Sequence, residues 1–321
     1  MTTTLTPKLI KMEAFPINHG DTSSMTCLPL ELHALDLIPR LKRAPAEHKG
    51  NAGKVLLIGG APGMAGALIL AGNACLHLGA GWSILEMLDL ASAHVAINQP
   101  ELMVRLAKPN AEEVIGNTKP DFIAIGPGLG NSDLAQAYLK AAILNTYSLL
   151  VIDADGLNLI ADQMEFLELL QKRNTNFPES TVLTPHPGEA ARLLKLSTEQ
   201  VQENRIEALN KLVTLTKSIV VLKGQHTLIG SPLHDPVVCQ QGNPGMGTGG
   251  MGDVLTGSIA ALASQGIRHH LNLWESTCLA VQLHACAADS LVAKHIGPIG
   301  LTPSEIILEM RSLLNHHLNL A

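Results

Sequence analysis

Residues 242–256, GNPGMGTGGMGDVLT, combine many glycines with a single carboxylate, Asp253. Glycines adopt positive φ and carry no side chain, so backbone N–H groups can converge on a phosphate, and the positive end of a following helix attracts the same anion. This pattern predicts an anion-binding loop that leads into a helix over 253–265. An aspartate at a helix N-terminus is most often a cap, and that interpretation stays open beside a catalytic one. The amides expected to bind the anion are those of Gly247, Thr248, Gly249 and Gly250.

Other unusual loops follow short aliphatic runs that are typical of buried strands. GGAPGMAGA follows 54–58, GPGLG follows 121–125, DADGLN follows 149–152, TPHPGE follows 181–183, and KGQHT follows 219–222. Ligands bind beyond the carboxyl ends of the strands in an open parallel sheet. Each loop alone is weak evidence, but together the loops predict one site at one edge of a sheet.

Several charged residues in these loops have both a functional and a structural interpretation. Asp153 and Asp155 could bind magnesium or orient a substrate hydroxyl, although a helix cap and a buried strand-end partner are common alternatives. Glu189, a third candidate for ordering magnesium, falls in the first turn of the helix after His186, where the helix dipole favours its charge. Lys223 ends an aliphatic strand and could reach a phosphate, or it could simply extend its ammonium into solvent.

The elements that must position these residues alternate along the chain. The predicted strands are 54–58, 82–87, 121–125, 149–152, 181–183 and 219–222, and the main predicted helices are 65–78, 132–144, 253–265, 271–294 and 303–314. Continuous aliphatic strands alternating with helices indicate a sheet covered on both faces. The sequence therefore predicts an α/β protein with three αβα layers and a mostly parallel central sheet.

Composition excludes several classes of partner. The net charge of −6 and the aromatic content of 2 % argue against a nucleic-acid partner. No apolar run approaches the roughly 18 residues of a membrane span, so no membrane partner is expected. The cysteines, Cys27, Cys75, Cys239, Cys278 and Cys286, show no CxxC spacing, which favours reduced thiols in a cytoplasmic protein.

The motifs taken together resemble one family. HKGNAGKVLLIGG, MAGALILAGNACLHLGAG, IGPGLG, VIDADGLNLI, TVLTPHPGEAARLL, VVLKGQHTLI and GNPGMGTGGMGDVLTG occur in this order over about residues 48–291. In this order they resemble the ADP- or ATP-dependent NAD(P)H-hydrate dehydratases, which have a ribokinase-like fold. TPHPGE is also similar to the TPN-x-x-E loop of related vitamin kinases, with His186 where they carry asparagine.

The resemblance implies an activity, its co-substrates and a set of site residues. The activity is the ADP-dependent dehydration of the S epimer of hydrated NADH or NADPH back to NADH or NADPH, with release of AMP and phosphate. ADP (or ATP) would be the co-substrate, Mg²⁺ the metal, and the protein a homo-oligomer, a tetramer by resemblance. The residues implied to contact the hydrated dinucleotide are Ala67, Gly128, His186 and Asp253, with Asp253 also at the reaction centre. The residues implied to contact the adenine nucleotide are Lys223, Gly224, Gln225, His226, Thr227 and Gly252.

Three other functions remain open at the level of sequence. A ribokinase-like kinase for a vitamin precursor would share the anion loop and Asp253 but stop after phosphoryl transfer. A Rossmann oxidoreductase would explain the glycine-rich turn after the first strand, but Gly60, Gly63 and Gly66 are spaced G-x-x-G-x-x-G rather than G-x-G-x-x-G. A nucleotide-binding regulator would bind ADP without catalysis.

The domain organisation is predicted as an N-terminal arm over 1–46 and a ribokinase-like dehydratase domain over 47–321. The arm is expected to be partly disordered or to pack on a neighbouring subunit. The larger bifunctional relatives carry an N-terminal epimerase domain, for which roughly 45 residues are too few. We therefore expect action on one epimer only.

Overall fold

The computed structural model describes residues 29–95 and 99–320. Within these residues the strands are β1 (Leu30–Glu31), β2 (Lys54–Gly59), β3 (Trp82–Met87), β4 (Met103–Leu106), β5 (Phe122–Ile125), β6 (Leu149–Ile152), β7 (Thr181–Leu183), β8 (Ile219–Leu222), β9 (Thr227–Gly230) and β10 (Val237–Cys239). They form one sheet in the order β1-β10-β9-β8-β7-β6-β5-β2-β3-β4. Only β9 runs antiparallel to its neighbours in that sheet, β8 and β10. The predicted mostly parallel sheet is confirmed.

The helices cover both faces of this sheet. In the described residues they are α1 (Ala65–His77), α2 (Leu90–Val95), α3 (Ala111–Thr118), α4 (Asp133–Leu144), α5 (Ala154–Asp162), α6 (Met164–Asn176), α7 (Pro187–Leu194), α8 (Thr198–Glu203), α9 (Arg205–Thr216), α10 (Met251–His269), α11 (Leu273–Ala293) and α12 (Pro303–Leu320). Helices α1, α10, α11 and α12 pack together on one face, and α3 to α7 and α9 pack on the other.

Adjacent strand residues belong to two separate cores, which explains why the central strands are apolar at nearly every position. Leu57 packs into the core under α1 and α10, whereas its neighbour Leu56 packs into the core under α4 and α5. Neither side chain is exposed to solvent. Because successive side chains of a strand point to opposite faces, a sheet buried on both faces requires apolar residues at every position. The predicted three-layer αβα architecture is therefore confirmed.

Sequence patterns located the central elements better than the edges. The strand β4 was not predicted because it lies at the sheet edge and its side chains are largely exposed, so it lacks the continuous aliphatic pattern. The short strands β9 and β10 were also missed. Helix α10 begins at Met251, ahead of the predicted Asp253.

Part of the predicted arm packs on the domain. β1 pairs in parallel with β10, and a 3₁₀ helix over Leu35–Leu41 buries Ile38 and Leu41. The side chain of Gln282 on α11 accepts from the amide of Ala34 at 2.6 Å and donates to the carbonyl of Leu32 at 2.9 Å. Residues 1–28 of the predicted arm lie outside the described residues, and the boundary at residue 46 stays a prediction.

Four cysteines in the described part of the chain are free thiols, namely Cys75, Cys239, Cys278 and Cys286. None of the helices in 29–95 and 99–320 has the length and apolar character needed to cross a bilayer.

Candidate active site

A cleft of about 830 Å³ opens at the carboxyl ends of the parallel strands. Its walls come from the loops after β6, β7, β8 and β10, together with the first turn of α10 and one side of α11. Since β6, β7 and β8 are parallel neighbours, the loops that follow them must lie side by side. The predicted location of the site at this edge of the sheet agrees with the position of the cleft.

The glycine-rich loop forms one wall of the cleft and leads directly into α10. A 3₁₀ helix over Pro244–Gly247 starts the loop, and Gly250 caps α10 with a φ of +95°. A Cβ atom at Gly250 would lie 2.6 Å from Cδ1 of Leu70, so both the backbone conformation and the close packing require glycine. Cβ atoms at Gly247 and Gly249 would meet no atom within 4 Å, which leaves free space beside the loop.

A buried ion pair lies on the floor of the cleft. The ammonium Nζ of Lys223 is 2.8 Å from Oδ1 of Asp153 and 3.9 Å from Oε2 of Glu189. The other carboxylate oxygen of Asp153 accepts from Oγ1 of Thr256 at 2.9 Å. Burial lowers the pKa of the Lys223 ammonium, but the neighbouring carboxylates of Asp153 and Glu189 outweigh this effect and raise it overall. Lys223 therefore keeps its charge and faces the cleft instead of extending into solvent.

Asp253 lies in the first turn of α10 and lines the same cleft. Burial raises its pKa to about 6, and the charge of Asp153 adds to this rise while Lys223 opposes it. Its carboxylate forms no ion pair with any residue in the described ranges. A half-buried carboxylate with a pKa close to neutrality and no ionic partner is suited to accept a proton from a ligand.

The TPHPGE loop forms another wall of the cleft, and two of its side chains cap the N-terminus of α7 reciprocally. Nδ1 of His186 accepts from the amide of Gly188 at 3.0 Å, and Oε2 of Glu189 accepts from the amide of His186 at 2.7 Å. Burial and the charge of Lys223 lower the pKa of His186, so its ring is neutral at neutral pH. Burial raises the pKa of Glu189 to about 7, although Lys223 opposes the rise.

The three carboxylates predicted to order magnesium each have a protein partner. Asp153 pairs with Lys223, and Oδ2 of Asp155 accepts from the amide of Gly130 at 2.9 Å. Glu189 holds the cap of α7. In the part of the chain that the structure describes, no group of three or more histidine, cysteine, aspartate or glutamate side chains is arranged to hold a metal ion. The geometry gives magnesium at these residues no support, and it stays a prediction.

Ala67 and Gly128 lie beside each other but do not line the cleft. A Cβ atom at Gly128 would be 2.6 Å from Cβ of Met64 and 3.4 Å from Cβ of Ala67. They therefore form a second region at the start of α1, over the ends of β2 and β5. Leu70 lies about one turn after Ala67 on α1, and its Cδ1 would be 2.6 Å from a Cβ atom at Gly250, so this region lies close to the end of the glycine-rich loop. The remaining predicted nucleotide-binding residues all line the cleft; they are Gly224, Gln225, His226, Thr227 and Gly252, together with the loop residues Gly247, Thr248, Gly249 and Gly250.

Two side chains that the sequence did not single out fix the loops of the cleft. The guanidinium of Arg205 on α9 donates to the carbonyls of Leu222 at 3.0 Å, Lys223 at 3.3 Å and His226 at 3.2 Å. The carboxylate of Asp289 on α11 accepts from the amide of Gly242 at 2.8 Å and from Nδ2 of Asn243 at 2.9 Å. Neither residue lies within a recognisable motif, and only spatial contact reveals its role.

Replacing Arg205 by lysine is expected to raise the KM for the adenine nucleotide that the resemblance implies about fivefold, because one ammonium cannot replace a guanidinium that binds several carbonyls at once. Steady-state kinetics and thermal melting would measure the effect. The matched control is Arg192→Lys, since Arg192 binds Asn158 and Asp162 at the surface. An unchanged KM in Arg205→Lys would show that the loop keeps its conformation without the guanidinium.

Known proteins resemble this chain along most of its length. A family model described as NAD(P)H-hydrate dehydratase matches residues 55–311. A bifunctional NAD(P)H-hydrate repair enzyme of Coxiella burnetii is 39 % identical over 277 residues, which cover 85 % of this chain and 53 % of that protein. An ADP-dependent (S)-NAD(P)H-hydrate dehydratase of Neisseria meningitidis is 36 % identical over 278 residues, which cover 85 % of this chain and 88 % of that protein. The chain thus spans about half the length of the bifunctional relatives that it matches.

Solved structures share the fold. A hypothetical protein of Streptococcus mutans superposes with a TM-score of 0.75 at 28 % identity, covering 89 % of this chain and 99 % of that one. A ribokinase-like superfamily protein of Enterococcus faecalis superposes with a TM-score of 0.73 at 28 % identity, covering 93 % and 99 %. The predicted ribokinase-like fold is confirmed. With a family model matching most of its length, the chain belongs to the NAD(P)H-hydrate dehydratase family.

Proposed function

We propose that this protein dehydrates the S epimer of hydrated NADH or NADPH at the expense of ADP, releasing AMP and phosphate. The observation that carries the proposal is Asp253, a half-buried carboxylate with a raised pKa that has no ionic partner in the described residues. It directly follows a glycine-rich loop in a cleft that also contains the ammonium of Lys223. The Neisseria relative, which carries the corresponding name, supports the choice of ADP and of the S epimer.

The residues divide between the two substrates. For the adenine nucleotide we assign Lys223, Gly224, Gln225, His226, Thr227 and Gly252, with the amides of Gly247, Thr248, Gly249 and Gly250 binding the terminal phosphate. For the hydrated dinucleotide we assign Ala67, Gly128, His186 and Asp253. In this assignment Asp253 belongs to both sets, because it would contact the hydrated dinucleotide and it directly follows the loop assigned to the terminal phosphate.

The first step in this mechanism is a phosphoryl transfer. Asp253 accepts the proton of the hydroxyl at C6 of the nicotinamide ring, and that oxygen attacks the terminal phosphorus of ADP. The phosphorus–oxygen bond to AMP breaks, and AMP leaves. The loop amides and Lys223 stabilise the negative charge that develops on the transferred group. Mg²⁺, when bound, would neutralise phosphate charge, but we assign no step to Asp153, Asp155 or Glu189, because each of these carboxylates already has a protein partner.

The second step is an elimination. The ring nitrogen supplies its lone pair as the carbon–oxygen bond at C6 breaks, so phosphate leaves with the bonding electrons. A proton then passes from C5 to the departing phosphate, which restores the C5–C6 double bond and the dihydropyridine ring. Phosphate is a much better leaving group than hydroxide, which explains why a dehydration would require a kinase-like step.

The experiment that tests this proposal mixes the protein with acid-hydrated NADH, magnesium and ADP. We expect the absorbance of reduced nicotinamide to return together with equimolar AMP and phosphate, and no signal without nucleotide. Hydrated NADPH and ATP are run in parallel to establish the substrate preference. A stable phosphorylated product would instead identify a small-molecule kinase, and binding of ADP without turnover would identify a regulator.

The activity should depend on pH because Asp253 must be ionised to accept a proton. We expect kcat/KM for the hydrate to rise with pH through about 6, the pKa to which burial raises this carboxyl group, and then to level off. Measurement between about pH 5 and pH 8, in buffers of constant ionic strength, would test this. A flat profile over this range would contradict the assignment of Asp253 as the base.

We further propose that the oligomeric state and the location implied by the resemblance hold for this protein. The protein is a homo-oligomer, a tetramer, that acts in the cytoplasm. Sedimentation equilibrium would determine the oligomeric state. A monomer at micromolar concentration would contradict it.

A further inference from the structure

His284 on α11 is a polar side chain that the mechanism above does not use. It is buried, with 5 % of its surface exposed, and it lines the same cleft as Lys223 and Asp253. Its Nε2 atom is fully buried and has no hydrogen-bond partner among the described residues. No motif in the sequence marks this residue.

An unpartnered imidazole nitrogen in this position is unusual. Buried polar groups are nearly always hydrogen-bonded, because a buried group without a partner loses its hydrogen bonds to water and gains none in the protein. Burial, assisted by the charge of Lys223, lowers the pKa of His284 to about 4. The ring is therefore neutral at neutral pH, with one nitrogen that donates and one that accepts.

The surroundings indicate what could supply the missing partner. Val281 and Ala285 lie one turn before and directly after His284, and both line the cleft with apolar side chains. Leu255 and Met246 line it as well. The imidazole is thus the polar group of a mainly apolar wall, which is the usual composition of a site that orients a small ligand by a few polar contacts.

We propose that the His284 imidazole hydrogen-bonds directly to the adenine nucleotide in this cleft and is a nucleotide-binding residue. This inference rests on the proposed function, because that function brings the adenine nucleotide into this cleft. The bond exists in the bound state alone, and it requires the imidazole to turn so that its buried Nε2 faces the cleft. His284 contributes to affinity and not to the chemical step, because it forms the same bond before and during phosphoryl transfer.

The test measures ADP binding by calorimetry in wild type, His284→Leu and His284→Gln. Leucine removes the hydrogen-bonding nitrogen at similar size, whereas the glutamine amide can occupy the position of Nε2. We expect the Kd for ADP to rise about five- to twentyfold in His284→Leu and to recover most of that loss in His284→Gln. The KM for ADP should rise in parallel, with kcat within about twofold of wild type.

The matched control is Ser276→Ala. Ser276 lies on the same helix, its Oγ atom is also buried without a partner, and it does not line the cleft. We expect this variant to bind ADP as wild type does. Equal ADP affinity in wild type and His284→Leu, with both proteins folded by circular dichroism, would overturn the inference.

The two proposals fail in different ways. If wild type binds ADP and His284→Leu binds it weakly, but hydrated NADH is not converted, the nucleotide contact stands and the proposed reaction fails. If hydrated NADH is converted and ADP affinity does not depend on His284, the reaction stands and the contact fails. If wild type does not bind ADP, both fail.

Discussion

Asp253→Asn is expected to lower kcat at least about a hundredfold while the Kd for ADP stays within about threefold of wild type. An asparagine side chain has the same shape but cannot accept the proton of the C6 hydroxyl. Loss of one such contact in a reaction centre typically raises the barrier by about 3 kcal/mol. The nucleotide keeps its contacts with the glycine-rich loop, so its affinity is largely retained. Single-turnover kinetics and calorimetry would measure the two quantities separately.

The same variant should be more stable than wild type at pH 8. Burial and the charge of Asp153 raise the pKa of Asp253 to about 6, which means that the ionised carboxylate is unfavourable in the folded protein. Removing that charge is expected to raise Tm by a few degrees, as is common when an active-site charge is neutralised. Near-normal turnover in Asp253→Asn would refute the role of this carboxylate.

Asp133→Asn provides the matched control. Asp133 is also an acidic residue in the first turn of a helix, α4, but it is exposed and does not line the cleft. The two substitutions remove the same favourable interaction with a helix dipole. We expect Asp133→Asn to leave kcat unchanged and to lower the stability slightly. Comparing the two variants separates the effect of removing a carboxylate from the cleft from the effect of removing one from the first turn of a helix.

Lys223→Met is expected to lower the free energy of unfolding by about 3 kcal/mol at pH 8 and to weaken ADP binding more than about tenfold. The ammonium is 2.8 Å from Asp153, which is 1 % exposed, so its removal leaves a buried carboxylate without a counter-charge. Glu189, at 3.9 Å, loses the same partner. The nucleotide loses the cation assigned to its phosphates.

The loss of stability should diminish as the pH falls. In wild type the pKa of Glu189 is already raised to about 7 and that of Asp253 to about 6, and both rise further without the ammonium. The folded variant therefore binds more protons than the unfolded chain at and below these values, so its stability falls as pH rises through this range. Urea titrations at pH 6 and pH 8 would show the difference.

Lys211→Met is the control for the loss of a lysine. Lys211 pairs with Glu207 at 2.7 Å on the exposed surface of α9, where an ion pair contributes at most about 1 kcal/mol. We expect its stability to be close to that of wild type at both pH values. Two results would contradict this expectation: an equal loss of unfolding free energy in Lys223→Met and Lys211→Met, or a loss in Lys223→Met that does not vary with pH. Either result would mean that the ion pair of Lys223 and Asp153 is not coupled to the neighbouring carboxylates.

The sequence by itself predicted the layers, the central strands and the loops of the site. Runs such as 55–58 and 219–222 are aliphatic at every position, and only a strand covered on both faces needs that pattern. The glycine-rich loop before Asp253 indicated an anion site because glycine permits a backbone conformation that other residues avoid, as Gly250 confirms with its φ of +95°. These features are local, so the sequence expresses them directly.

Tertiary structure alone decided which polar groups meet. Lys223 and Asp153 pair across 70 residues because β8, β7 and β6 are neighbours in the sheet. The hydrophobic periodicity of the sequence predicts the strands but not their order in the sheet. The contact of Asp289 with the start of the glycine-rich loop depends in the same way on how α11 packs, and so does the position of His284 in the cleft. Hydrogen bonds and desolvation depend on distance in space, and a sequence pattern specifies distance only along the chain.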